Sequence, residues 1–415
     1  MNSYARRPLD STTEYSRRHK PDYLLPILSS ILMAIGLVIV FAISPALSAT
    51  NNVSDNYYVS KQAIAILMGF AAFLITANLK PQIWRKIEKP VLLLAFGASV
   101  AVRLFGEQVN GAYRWVQIGG FSFQAAELIK FALVIWLAGF LADRIKRGTL
   151  SDWNDTLKPL GLAIAVIGFV VAVVQSDLGS AAVMIAIVIS MTYVAGMPMK
   201  KVAVAGAIIL VGVTLAISTS SYRRSRLNTF LNPASDCQNA GYQSCQALIA
   251  VGSGGMFGQG IGSGVQAYGY LPEAANDSIF AIYGEKFGFV GSVVLIGLYI
   301  LLFSRLIKII EHTPNDYMRL LTTGVLAWLS TQALINIGAM TGLLPLKGIT
   351  LPYVSYGGTS IIFVAVSVGV VFSVSRYTSY RVIREEEGGV NNDHITGRRG
   401  ERRPRSPVVS RRAGA

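Results

Sequence analysis

Apolar residues in this chain neither alternate, as in a half-buried strand, nor recur only every third or fourth position, as in a surface helix. They run on, in stretches long enough to cross a hydrocarbon core of ~30 Å. Ten such runs are predicted as transmembrane helices, at about 24–44, 61–79, 90–106, 124–142, 159–175, 179–197, 202–218, 278–303, 320–341 and 359–377. The expected fold class is therefore an all-α polytopic membrane protein. A cleavable signal peptide would be one short run followed by soluble sequence, and none is expected.

Polar positions orient these helices. The connections KPQIWRKIEK (80–89), DRIKRGTLSDWNDTLK (143–158), PMKK (198–201) and SRLIKIIEHTPNDYMR (304–319) are basic, as are both ends of the chain. Lys and Arg gather on the cytoplasmic side, so both termini are expected inside and the other connections outside. The expected organisation is a cytoplasmic segment at 1–23, a ten-helix membrane domain at 24–377 and a disordered basic tail at 378–415. The connection at 219–277 is too long for a plain linker. Apolar residues in YQSCQALIAVGSGG favour a cap with a short interfacial helix there.

Composition sharpens this picture. Of 415 residues 52% are hydrophobic and 14% charged, unlike a soluble domain. The net charge of +15 sits in the ends and alternate loops, which argues for membrane topology and against nucleic acid. The tail's arginines suit a solubilised inside segment or contact with anionic lipid. No internal repeat is evident, which weakens an inverted-repeat transporter. Cys237 and Cys245 are too few for a zinc cluster and can close one small disulfide on an oxidising outer face.

His19, His312 and His394 all fall on the inner side, so outward chemistry must rest on carboxylates. The candidates are Asp55, Glu107, Glu127, Asp177, Asp236, Glu273, Asp277 and Glu285. Asp277 precedes the apolar run SIFAIYG and is either a helix N-cap or a catalytic group. A cap leaves Glu273 and Glu285 unexplained. Glu285 lies two turns deeper beside Lys286, where an ion-pair role is expected. Glu127 and Lys130, spaced i, i+3, can neutralise one another, as a packing pair or on a pathway. Asp177 sits in a short turn, as a cap or facing a cavity. The glycine series GSGGMFGQGIGSG (252–264) lacks the GK[ST] ending of a phosphate loop, and tight turning or close backbone approach accounts for it better. Arg223, Arg224 and Arg226 break the charge pattern by standing in an outer loop, where they either snorkel to lipid headgroups or bind an anion.

Five stretches, NGAYRWVQIGGFSFQAAELIK, QSDLGSA, YRRSRLNTFLNP, LPEAANDSIFAIYGEKFG and NIGAMTGLLPLKGITLPYVSYGGTS, occur in an order that resembles the SEDS family (shape, elongation, division and sporulation) of bacterial membrane proteins. The likeness covers roughly 20 to 380, and Lys347 before Gly348 is similar to the division-type branch; the elongation-type branch usually has Thr there and Pro at the position of Thr350. Family motifs with proline appear here as Gln124-Ala125-Ala126-Glu127 and QSDLG, and an acid is replaced by Lys286.

The resemblance implies ten helices with both ends inside and a peptidoglycan glycosyltransferase that polymerises lipid II on the outer face of the cytoplasmic membrane, at the division septum. It implies Asp277 as the essential acid. Arg223, Arg224, Arg226, Arg114 and Lys347 would supply positive charge for pyrophosphate, Ser355 and Glu273 would touch substrate, and Glu127, Lys130, Asp177 and Glu285 would line or brace a central cavity. A divalent cation, Mg or Mn, is compatible with Asp277 as a ligand instead of a base. Implied partners are the growing glycan strand, membrane lipids, a class B penicillin-binding protein and other divisome proteins. A lipid-linked precursor transporter and a non-catalytic scaffold are the competing classes.

Overall fold

The computed structural model describes residues 20–379 apart from 110–111, 119–120, 172–174, 176, 199, 205, 208–211, 213–229, 231–236 and 240. Arg223, Arg224, Arg226, most of 202–218 and the basic tail from 380 lie outside the described residues. So does Asp236.

Backbone groups in lipid must bond within their own segment, and long apolar sequence therefore folds as helix. The described helices are α1 (Leu24–Asn51), α2 (Tyr57–Asn78), α3 (Pro81–Phe105), α4 (Ala125–Arg147), α5 (Lys158–Phe169), α6 (Leu178–Ala195), α7 (Tyr242–Ser253), α8 (Ile279–His312), α9 (Asp316–Met340) and α10 (Gly358–Ser375). Seven of them, α1, α2, α4, α6, α8, α9 and α10, are long and apolar enough to cross a membrane. Helix α4 is the most enclosed of these, with 89% of its most apolar stretch buried, and it packs on α3, α6, α9 and α10.

Two expected cytoplasmic loops are instead helical. KPQIWRKIEK opens α3, with Pro81 in the first turn, where its missing N–H would have had no partner. SRLIKIIEH continues α8 to His312, and only Thr313 to Asn315 connect it to α9, which the Asn315 side chain caps through Met318 N. An ion pair ties the basic end of α8 to the segment ahead of α1, Arg305 with Asp22 at 2.6 Å.

A small sheet was not anticipated. Between α3 and α4 stand β1 (Glu107–Val109), β2 (Ala112–Ile118) and β3 (Phe121–Gln124), antiparallel in the order β1-β2-β3. The dipeptides Asn110-Gly111 and Gly119-Gly120 separate the strands in sequence, a recognised hairpin signal. The strands precede the span expected at about 124–142 and end where α4 begins.

Two departures from straight helices shape the end of the protein that carries Asp277. Gly288 (φ 67°, ψ −161°) interrupts α8, a conformation that only glycine adopts without strain. The segment 341–357, expected as an outer loop, is not helical yet reaches in among the helices: a Cβ added at Gly36, midway along α1, would lie 2.6 Å from Val354 O, and Tyr299 of α8 donates to Pro352 O at 2.5 Å. Irregular backbone at such depth is tolerated where protein groups satisfy it.

Candidate active site

Residues 272–278 form a tight turn leading into α8. Glu273 adopts φ 51°, unusual for a side-chain-bearing residue, and its carbonyl accepts from Asn276 N and Ser278 N. Its carboxylate, exposed to solvent, accepts from Asn276 Nδ2 at 2.5 Å, so Glu273 shapes the turn from both ends. The cap position of α8 falls on Ser278, with no side-chain capping bond, so Asp277 is not the N-cap.

Three successive carbonyls of this turn are each held by a different group from 336–356. Ala275 O accepts from Tyr356 N at 2.8 Å, Asn276 O from Ser355 Oγ at 2.6 Å and Asp277 O from Asn336 Nδ2 at 2.7 Å. The half-buried Asp277 is thus presented from a backbone that cannot drift relative to α9 and the inserted segment. Ser355 is 3% exposed and also accepts from Leu351 N, so its hydroxyl braces the scaffold on both sides. Burial, with Tyr57 and Tyr58 alongside, raises the Tyr356 hydroxyl above the ordinary phenol range, so it stays protonated.

Below this turn a polar chain runs through the apolar core. Lys130 Nζ lies 2.7 Å from Glu127 Oε1, both side chains 2% exposed. It also donates to Gln332 Oε1 at 2.9 Å, which accepts from Trp328 Nε1 as well. Gln332 Nε2 continues to Thr350 O at 2.9 Å, and Thr350 Oγ1 meets Ser360 Oγ at 3.1 Å. Gln332 and Asn336 were not anticipated. They stand i, i+4 in an apolar helix, and two buried carboxamides on one face of a membrane span are a readable sign of function, because such groups are expensive there.

The remaining candidates separate. Asp177 caps α6, accepting from Ser180 N at 3.0 Å and Ser180 Oγ at 2.7 Å, and the adjoining Gly179 packs on Ile349. Lys347 sits half-buried in the inserted segment, its carbonyl accepting from Ile349 N at 2.7 Å. Arg114 lies on β2 and Glu107 on β1, their side chains outside the described set. A disulfide joins Cys237 to Cys245 in the first turn of α7.

Glu285 and Lys286 are corrected: among the described residues they form no ion pair with each other. Glu285 Oε1 accepts from Val265 N at 3.0 Å and Gln266 N at 3.2 Å, whereas Lys286 Nζ donates to Ile261 O at 3.2 Å and Ser263 O at 3.0 Å. The glycine series forms a collar around the break in α8. Gln259 N and Gly260 N donate to Glu285 O and Lys286 O, and Phe289 N and Val290 N donate to Gly255 O and Met256 O. Close approach is what the glycines permit: a Cβ at Gly258 (φ 82°) would lie 2.1 Å from Lys286 O.

A family model of cell cycle proteins, FtsW/RodA/SpoVE, matches residues 22–380. The chain belongs to this family. Relatives include stage V sporulation protein E of Bacillus subtilis (strain 168), 35% identical over 368 residues, spanning 88% of this chain and 100% of that protein. The probable peptidoglycan glycosyltransferase FtsW of Geobacter sp. (strain M18) is 34% identical over 359 residues, 85% of this chain and 96% of that protein. Among solved structures, a chain from a peptidoglycan synthase complex, described for its coordination of polymerization and crosslinking, is similar with TM-score 0.69 at 26% identity, covering 86% of this chain and 98% of that one. Thermus thermophilus RodA is similar with TM-score 0.62 at 26% identity, covering 86% and 98%. This FtsW/RodA/SpoVE member brings no three His, Cys, Asp or Glu side chains together to hold a metal ion among the described residues.

Proposed function

We propose that this protein is a peptidoglycan glycosyltransferase of the division type, polymerising lipid II into β-1,4 glycan at the outer face of the bacterial cytoplasmic membrane with release of undecaprenyl pyrophosphate. Relatives named probable peptidoglycan glycosyltransferase FtsW and the structural likeness to a peptidoglycan synthase complex support the activity. The observation that carries the site is the turn before α8, where three held carbonyls fix the backbone that bears Asp277.

The donor sugar is α-linked to pyrophosphate and the product is β-linked, so one displacement with inversion suffices. Asp277 takes the proton of the acceptor 4-hydroxyl as its oxygen forms the new bond to the anomeric carbon. The bond from that carbon to the phosphate oxygen breaks, and the electron pair leaves with pyrophosphate. This leaving group needs its charge neutralised more than it needs a proton, a role for Lys347, Arg114, Arg223, Arg224 and Arg226. Both termini are placed in the cytoplasm on the charge pattern. A class B penicillin-binding protein is the proposed partner, in keeping with the synthase-complex neighbour, and other divisome proteins follow from the division role.

The transporter reading draws on intramembrane charge, but Glu127 and Lys130 are paired and sealed from solvent, which suits bracing better than a pathway. Reconstitution with lipid II separates the classes: polymer supports the enzyme, lipid movement without polymer the transporter, and neither the scaffold.

A further inference from the structure

Asn336 is 1% exposed, near the end of α9. Its single Nδ2 donates twice, to Asp277 O at 2.7 Å and to Ile349 O at 2.7 Å. Its Oδ1 is buried with no hydrogen-bond partner among the described residues. An unsatisfied buried acceptor costs stability, and an apolar side chain would avoid that cost, so a carboxamide here is explained by what it donates. The two carbonyls it joins belong to segments far apart in sequence: the turn carrying Asp277 and the inserted segment, two residues beyond Lys347. Ile349 is a rigid point, since its N–H closes a three-residue turn onto Lys347 O and its side chain packs on Gly179.

We propose that Asn336 is a positioning residue for glycosyl transfer, which sets the spacing between the acidic side of the site at Asp277 and the basic side at Lys347 by tying both backbones to one amide. This rests on the glycosyltransferase reading above. Transfer needs the base on the acceptor hydroxyl and the cation on the departing pyrophosphate at the same moment, so a loosened spacing lowers turnover more than donor binding. Gln332, one helical turn away and 0% exposed, is the natural comparison: the same side-chain amide, equally buried, anchors Thr350 but does not touch the Asp277 turn.

The experiment uses the purified full chain in liposomes with lipid II and compares wild type, Asp277→Asn, Asn336→Leu, Asn336→Asp and Gln332→Leu. For Asn336→Leu, kcat is expected to fall at least about tenfold with KM within about threefold. Amide hydrogen exchange in 272–278 and 349–356 should accelerate together, whereas Gln332→Leu should loosen the second stretch and leave the first protected. Asn336→Asp keeps the shape, loses the donated bonds and gives the same reading should the leucine variant not fold. Wild-type kcat in a folded Asn336 variant, or unchanged exchange at 272–278, overturns the proposal. Wild-type polymer from Asp277→Asn instead overturns the glycosyltransferase site itself, a separate failure.

Discussion

Among the described residues, two buried glutamate–lysine combinations, Glu127 with Lys130 and Glu285 with Lys286, are built on opposite plans. Glu127 and Lys130 neutralise each other across one helical turn of an unbroken helix, and the lysine's spare donor capacity goes to Gln332. Glu285 and Lys286 are neighbours in sequence at a broken helix, and each turns away from the other to hold backbone of the glycine collar. Beyond its first turn α4 satisfies its own backbone, so Lys130 finds its partners in side chains, Glu127 and Gln332. Where α8 breaks, free amides and carbonyls become the partners, and the same two residue types become a clamp.

The contrast makes graded predictions. Lys130→Met leaves a buried carboxylate without its cation and should cost about 3–5 kcal/mol of unfolding stability, whereas the double change with Glu127→Gln should recover much of that loss. A double-mutant cycle over Glu285 and Lys286 should show weaker coupling than one over Glu127 and Lys130; equal coupling would erase the difference between the pairs. Gly258→Ala forces a Cβ against Lys286 O at a left-handed backbone position and should cost about 1–3 kcal/mol, measured as a lowered thermal midpoint. Lys286→Met strands Ile261 O and Ser263 O and should cost about 1–2 kcal/mol, with faster hydrogen exchange confined to the collar. The half-exposed pair Arg85 and Asp143, near the other end of the helices, should register less than about 1 kcal/mol on Arg85→Gln.

Much of the fold is legible in the sequence because lipid imposes one rule, continuous apolar length, and α1, α2, α4, α6, α8, α9 and α10 all obey it. Basic residues misled at KPQIWRKIEK and SRLIKIIEH, where charge marks the inner side but does not end a helix, since Lys and Arg are good helix formers. The hairpin at 107–124 was overlooked although Asn110-Gly111 and Gly119-Gly120 announce it, because its apolar strands merge into the adjoining span. At the site, the position of Asp277 ahead of α8 was readable. Its suspension from Tyr356 N, Ser355 Oγ and Asn336 Nδ2 was not, since these groups are 59 to 81 residues away in sequence and only the fold brings them to three adjacent carbonyls. Likewise, nothing local distinguishes a Glu285 that pairs with Lys286 from one that grips amides at 265 and 266.

The most direct measurement is glycan polymerisation from purified lipid II by wild type and Asp277→Asn, side by side in the same liposomes with the partner transpeptidase present. The account predicts polymer from the first and none from an equally folded second. Polymer of normal length and rate from Asp277→Asn would contradict it, because the carboxylate borne by this braced turn would then have no part in the reaction.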